Sequence, residues 1–428
     1  MLLAKIKFVL SNETLRNGAF FTLFSFINKG MNFILLLLLA KYISPTEYGY
    51  WSLFGTVVMF IGYFMAMSTE GYIPISYFQE GIKGVKKTVG CILFTTLIAL
   101  CTLVSILTFF KENLEQSLKL PWQYLYLSIG IAFFTVFFNV CLNYFRIKKK
   151  ITLYGLISCG SAFLTLVLSI LFVKALFMGW QGCALAQFLS IALCGFAGLS
   201  YFIFSNKISL PNKTHWKTML CWGIPLIPHL ATQFTRLGCD RYIIEYYYSI
   251  DDVGLFSFAF TLATAISTIG YGFNEANSIN VYEILGNKEI SFKEKITLLN
   301  RQKINMFLVC LCGSIVIVLL GYFLIPIFLP KYTAATTFFF LLAIYAFLQC
   351  IYYLYTNFLF YFKKTKLLMA ITVSFAFIHL FLSLALTRHS IYYTCLAYCF
   401  TQLGVVFFIR KSVAKELKEK ITLKKRSF

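Results

Sequence analysis

Acidic residues are scarce in this chain: 16 Asp and Glu stand among 428 residues, against 38 Lys and Arg. Long hydrophilic stretches are missing as well, the longest connection between apolar segments being about residues 274–302. With so few carboxylates and no extended loop, there is no room for the surface acid/base constellation that a membrane-bound transferase or polymerase requires. No glycine-rich phosphate cradle is present, which argues against ATP as a fuel. The 13 cysteines contain no C-x-x-C pair, and the 4 histidines (His215, His229, His379, His389) are scattered. Buried thiols in apolar segments act as small hydrophobes, so neither a disulfide framework nor a metal site is expected, and no cofactor. The apolar start MLLAKIKFVL runs into Ser11, Asn12, Glu13 and Arg16. That run is too short for a cleavable signal peptide and reads as an amphipathic interfacial segment.

Apolar residues dominate. The hydrophobic fraction is 59%, only 13% of residues are charged, and mean hydropathy is +0.78. Twelve apolar segments are legible, near residues 19–40, 50–69, 88–110, 121–145, 153–178, 182–204, 217–238, 253–273, 303–325, 335–360, 366–386 and 390–409. Each has about 20 residues or more, enough at 1.5 Å per residue to cross a hydrocarbon core of roughly 30 Å. The positive charges are sorted between them. The N-terminal segment, the C-terminal tail and the five even-numbered loops hold 29 of the 38 Lys and Arg, and the six odd loops hold 7. By the positive-inside rule this alternation puts both termini in the cytoplasm of a multi-pass inner-membrane protein. The formal charge of +22 sits in short juxtamembrane clusters, such as Arg146, Lys148, Lys149 and Lys150. Such clusters orient helices and attract anionic lipid, and no loop is long enough to form a nucleic-acid groove. The tail 410–428 reads as a basic amphipathic helix on the cytoplasmic surface.

A shift of 205 residues aligns the chain with itself. Ser44 meets Ser249, Glu47 meets Asp252, Gly49 meets Gly254, Trp51 meets Phe256 and Ser52 meets Ser257. In the same register Glu70 meets Glu275, Tyr77 meets Tyr282 and Gly81 meets Gly286. Ser44 and Ser249 are placed to cap a helix, with an acid three residues on to complete a capping box. The chain thus divides into a six-helix lobe over 1–204, a cytoplasmic linker over 205–216, a second six-helix lobe over 217–409 and the basic tail 410–428. The lobes are parallel repeats, an arrangement common among transporters.

The stretch LAKYISPTEYGYWSL (39–53) resembles the motif after the first helix in the polysaccharide transporters. These belong to the superfamily of multidrug, oligosaccharidyl-lipid and polysaccharide flippases. WGIPLIPHL (222–230), with Asp240-Arg241 and DDVGLFSFA (251–259), is similar to the start of that family's second half. The resemblance implies an all-α fold of about twelve membrane helices in two parallel lobes around a central cavity, like that of the MATE exporters. It implies a transporter, not an enzyme, that flips an undecaprenyl-pyrophosphate-linked oligosaccharide such as an O-antigen unit to the periplasmic leaflet. Expected partners are that substrate, membrane lipids and polysaccharide assembly proteins such as a polymerase or chain-length regulator, with no nucleic acid. Two alternatives stand beside it: a drug or cation exporter of the same fold, and a surface-polysaccharide polymerase or ligase. The first would want an anionic cavity, and the second a long periplasmic loop bearing paired arginines.

Lys29 lies mid-span, too deep for its stem to reach water easily, so its charge must meet a cavity or a partner. Arg236 stands near the repeat-equivalent place, and a guanidinium binds phosphate oxygens in bidentate fashion. These two are the candidate residues for binding the substrate. Glu70 and Glu275, at matching ends of the second and eighth spans, and the adjacent Asp240 and Arg241 are the candidates for coupling or gating. Of the last two, tying helix ends is the expected role. Pro225 and Pro228 remove backbone donors, should bend the seventh span, and are the candidate hinge.

Overall fold

The structure is a computed structural model, which describes residues 13–287 and 289–426. The first ten residues, read above as an interfacial segment, lie outside it. Helices make up nearly all of the described chain, as a long apolar backbone in lipid requires, because a helix satisfies its own donors and acceptors.

In chain order the helices are α1 (Glu13–Tyr42), α2 (Pro45–Met65), α3 (Ile73–Phe109), α4 (Lys111–Leu118), α5 (Trp122–Ile147), α6 (Ile151–Ile170) and α7 (Gly179–Phe204). Then come α8 (Lys213–Gly223), α9 (Ile227–Leu237), α10 (Cys239–Tyr247), α11 (Ile250–Gly286), α12 (Phe292–Phe328), α13 (Ala335–Tyr361), α14 (Thr365–Leu386) and α15 (Ile391–Arg426). Among the described residues, nine helical segments are long and apolar enough to cross a bilayer. The chain divides into two compact units, residues 1–234 and 235–428.

Both capping boxes form. Ser44 Oγ accepts from the Glu47 amide at 3.2 Å, and the Glu47 carboxylate accepts from the Ser44 amide at 2.9 Å, with Pro45 opening α2. In the second copy Ser249 and Asp252 repeat the exchange, at 3.2 and 3.3 Å, to open α11. The copies then diverge. After Met65 the chain breaks, with Met67 and Ser68 at φ of 50° and 60°, and Thr69–Tyr72 form a 3-10 turn before α3. Pro74 stands in the first turn of α3, where its missing donor costs nothing, and so the helix must begin afresh there. The register partner of Pro74 is Ile279, and α11 runs unbroken past it. Glu70 therefore lies in a 3-10 turn and Glu275 inside a long helix, which corrects the expectation of two equivalent helix ends.

In the first unit α5 packs along α7, α2 and α3, and α1 lies on α6. Gly81 interrupts α3 at φ 64°, ψ −144°, a conformation that L side chains avoid. The segment expected as a single seventh span is broken: α8, a 3-10 turn at Ile224–Leu226 around Pro225, α9, and a further break at Gly238 before α10. α8 docks on α3. His215 Nε2 lies 2.9 Å from Thr88 Oγ1, and Trp216 Nε1 donates to Thr95 Oγ1 at 2.8 Å. Gly223 sits against the broken turn, where an added Cβ would lie 2.4 Å from the Met67 carbonyl oxygen. The linker and α8 are thus packed on the first unit, rather than passing freely between two lobes.

In the second unit α13 packs against α11 and α15, and α14 against α15. Val281, Phe358, Leu359, Val405, Ile409 and Val413 form a buried apolar cluster. α15 continues without a break into the basic tail: Val413 is buried, Leu417 packs on the cluster, and Lys364 pairs with Glu416 at 2.8 Å. The start of the tail is therefore an extension of the last helix, anchored in the core, and not a separate helix.

Candidate functional site

Three segments of the second unit carry polar side chains four residues apart, the spacing that aligns them on one helical face. α14 has His379 and Ser383, with Thr387 just past its end; α15 has Thr394, Tyr398 and Gln402. Arg236 and Asp240 have the same spacing across the Gly238 break. A polar face inside an apolar helix is costly unless its groups find partners, and here they find one another.

Asp240, 1% exposed, is the centre. Its Oδ2 lies 2.8 Å from His379 Nε2, and its Oδ1 accepts from Ser383 Oγ at 2.5 Å. Ser383 Oγ is 3.3 Å from Thr387 Oγ1, which is 2.7 Å from Thr394 Oγ1, so a run of hydroxyls leads from the carboxylate to the end of α14. Tyr398 stacks on His379 with ring centroids 4.3 Å apart, and its hydroxyl donates to the Arg236 carbonyl. The Arg236 guanidinium donates to Gln402 Oε1 at 2.7 Å and lies over the Tyr345 ring at 5.7 Å. Both partners are neutral, so the positive charge of Arg236 is not spent on either. Three atoms of this network are buried with no hydrogen-bond partner: Arg236 Nε, His379 Nδ1 and Gln402 Nε2.

Asp240 and Arg241 do not pair with each other. Asp240 binds α14, while Arg241 Nε donates to Ser257 Oγ on α11 at 3.2 Å, so the two residues tie α10 to different helices. His379 escaped the sequence reading because 139 residues separate it from Asp240. Its signal was the four-residue spacing to Ser383 and Thr387 in an otherwise apolar segment.

In the first unit Lys29 is exposed on α1, 13 residues from Tyr42 or about 20 Å of helix. It belongs to a polar face with Asn28 and Asn32; Asn28 Nδ2 donates to the Ser158 carbonyl at 2.8 Å, and Asn32 Nδ2 donates to Asn28 Oδ1 at 3.1 Å. Glu70 is bonded by Asn139, its Oε2 is buried without a partner, and Asn143 donates to its carbonyl at 3.2 Å. The Glu275 side chain lies outside the described residues. Pro225 and Pro228 are exposed at the junction of α8, the 3-10 turn and α9, where the chain bends. Within the second unit Arg236 and Asp240 are brought into one network.

The comparisons agree with this architecture. A curated relative, Lsg locus putative protein 1 of Haemophilus influenzae, is 25% identical over 406 residues, covering 91% of this chain and 96% of its own. An inward-facing MATE multidrug transporter of the MOP superfamily superposes with a TM-score of 0.71 at 14% identity, covering 91% of this chain and 96% of that one. The lipid II flippase MurJ, in an inward closed conformation, gives 0.73 at 16% identity over 92% and 87%. At such identities the likeness is one of fold, and the fold is that of the MATE and MurJ transporters. The model of the family described as "Polysaccharide biosynthesis protein" matches residues 14–277, well over half of the sequence, and the chain belongs to that family.

Proposed function

We propose that this chain is a flippase for a lipid-linked oligosaccharide, an O-antigen repeat unit or a related surface-polysaccharide unit carried on undecaprenyl pyrophosphate. It would move the unit from the cytoplasmic to the periplasmic leaflet of the inner membrane by alternating access, with both termini cytoplasmic. Family membership and the transporter fold support a saccharide-lipid cargo and a carrier rather than an enzyme. The observation that carries the reading is Arg236, a cation in a half-buried setting held by the neutral Gln402 and Tyr345. In low dielectric such a charge attracts anions strongly, and a diphosphate offers oxygens matched to a guanidinium fork. A carrier of cationic drugs would gain nothing from it. Lys29 is the second proposed contact with the anionic head, and Pro225 with Pro228 the proposed hinge. A polymerase and a chain-length regulator are the proposed partners that receive the product.

The test is reconstitution of the chain in vesicles carrying a fluorescent undecaprenyl-pyrophosphate oligosaccharide. Accessibility to a membrane-impermeant quencher reports the leaflet. The native chain should equilibrate the lipid between leaflets, and Arg236→Ala should slow this without changing protein yield. Equal rates in vesicles with and without the chain would refute the proposal.

A further inference from the structure

Several cations near the helix ends are held by a polar partner. Lys87 pairs with Glu80 at 2.8 Å, Lys364 with Glu416 at 2.8 Å, and Lys207 donates to the Tyr201 hydroxyl at 2.6 Å. Lys303 and Arg410 have no such partner. Lys303 opens the ninth apolar segment, on α12, and Arg410 follows the twelfth, on α15. The half-buried Lys303 ammonium lies 4.5 Å from the ring centroid of Phe358 and 5.4 Å from that of Tyr355, both on α13. Ring faces attract a cation but offer its N–H groups no oxygen. Phe358 belongs to the same buried cluster as Ile409, the neighbour of Arg410, and Arg410 lies within electrostatic reach of the ammonium. Among the described residues neither cation donates a hydrogen bond or meets a carboxylate. Two like charges at the edge of an apolar core repel each other and lose hydration, a cost that an anion between them relieves.

The surface leading away from the two cations is apolar. Arg410 tops an exposed stripe of α15 formed by Phe407, Leu403 and Phe400, at helical spacings of three and four. On α12 the exposed Phe307, one turn in from Lys303, meets the Phe347 ring of α13 edge to face at 5.5 Å. Cations at the boundary of the apolar segments, with exposed apolar surface running inward from them, match the order of groups in a lipid: a phosphate head, then acyl chains. A free phosphate would make no use of the stripe.

We propose that Lys303 and Arg410 form a binding site for an anionic phospholipid, with its phosphate between the ammonium and the guanidinium and its acyl chains along α15 and α12. Arg410 takes the phosphate oxygens in its planar fork, and Lys303, steadied over the two rings, acts as a point charge. The bound lipid ties α12 to α15 across α13, on which both helices pack. The site is distinct from Arg236 and does not depend on what the chain transports.

The test is native mass spectrometry of the full chain in detergent, titrated with phosphatidylglycerol or with phosphatidylcholine of the same acyl chains. The native chain should retain one phosphatidylglycerol with a Kd at least about tenfold below that for phosphatidylcholine. Lys303→Gln and Arg410→Gln should each weaken phosphatidylglycerol about fivefold, and the double variant about thirtyfold. Lys303→Arg should bind as native, and so should Lys207→Gln, which removes a cation already held by a hydroxyl. Size-exclusion profiles identify any variant that fails to fold, and Arg410→Gln, at an exposed position, keeps the test decisive if Lys303→Gln does not fold. Equal affinity for the two lipids, or native binding by the folded Arg410→Gln chain, would overturn the proposal. So would displacement of phosphatidylglycerol by millimolar inorganic phosphate, which would make this a site for a soluble anion. Displacement by undecaprenyl phosphate at concentrations well below those of phosphatidylglycerol would assign the site to the cargo carrier instead, and would also overturn it.

Discussion

Replacing His379 with leucine separates charge from packing in the buried network. The imidazole is 0% exposed and meets Asp240 Oδ2 at 2.8 Å, while Ser383 donates to Oδ1 and the Tyr398 hydroxyl is a further hydrogen-bond partner of the carboxylate. His379→Leu roughly conserves volume, so repacking alone should cost less than about 1.5 kcal/mol. It takes the imidazole away from the buried Asp240 carboxylate, and breaking a buried pair by removing one partner costs about 3–5 kcal/mol. In the double variant Asp240→Asn, His379→Leu no charge is stranded, and the loss should fall to about 1–2 kcal/mol, the cost of an imperfectly bonded amide. The single change should thus be worse than the double, with an interaction free energy of about 2–3 kcal/mol, within the range for residues in contact. The assay is unfolding of the purified chain in mixed micelles by denaturing detergent, with a probe in the second unit. A His379→Leu loss below 1.5 kcal/mol, or two single effects that simply add, would refute the picture of a buried carboxylate satisfied by imidazole.

The other expectations are quickly stated. Ser44→Ala and Ser249→Ala should each lower stability by about 1 kcal/mol, because each removes one half of a formed capping box, and unequal losses in the same assay would break the structural equivalence of the two copies. Gly223→Ala should loosen α8, since its methyl would press on the Met67 carbonyl oxygen, with a cost of about 1–3 kcal/mol and faster hydrogen exchange across 213–223. Burial lowers the His215 pKa from 6.5, with Glu80 opposing, so the docked α8 favours the neutral ring. Its exchange protection should be full above that value and fall as pH drops below it, a response that His215→Gln should abolish. Lys29→Ala should abolish surface polysaccharide while leaving insertion intact, and Lys29→Arg should restore part of it, as read on the cell surface with an antibody or lectin.

The fold was legible because lipid imposes few choices: long apolar runs, sorted cations and a repeated Ser-x-x-acid box leave little but a helical carrier. The breaks within helices were less visible. Pro74 explains the restart of α3 only when set against Ile279 in the other copy, and the bend at Pro225 was foreseen while the break at Gly238 was not. Docking of α8 on α3 depends on Gly223 meeting the Met67 carbonyl, a contact between residues 156 positions apart that no local pattern announces. At the candidate site, Arg236 and Asp240 stood out as charges in or beside apolar segments. His379, Ser383 and Gln402 did not, because single polar residues in an apolar helix read as ordinary packing until three helices bring them together.

The most direct test of the central reading is the leaflet assay with paired cargoes. Vesicles holding the native chain should expose a labelled undecaprenyl-pyrophosphate oligosaccharide to the external quencher at a rate well above empty vesicles. A lipophilic cationic dye offered to the same vesicles should remain where it is placed, and Arg236→Ala should depress the oligosaccharide rate alone. Movement of the dye with no movement of the saccharide lipid, or an Arg236→Ala variant as fast as native, would contradict the assignment of this chain as an anion-attracting saccharide-lipid flippase.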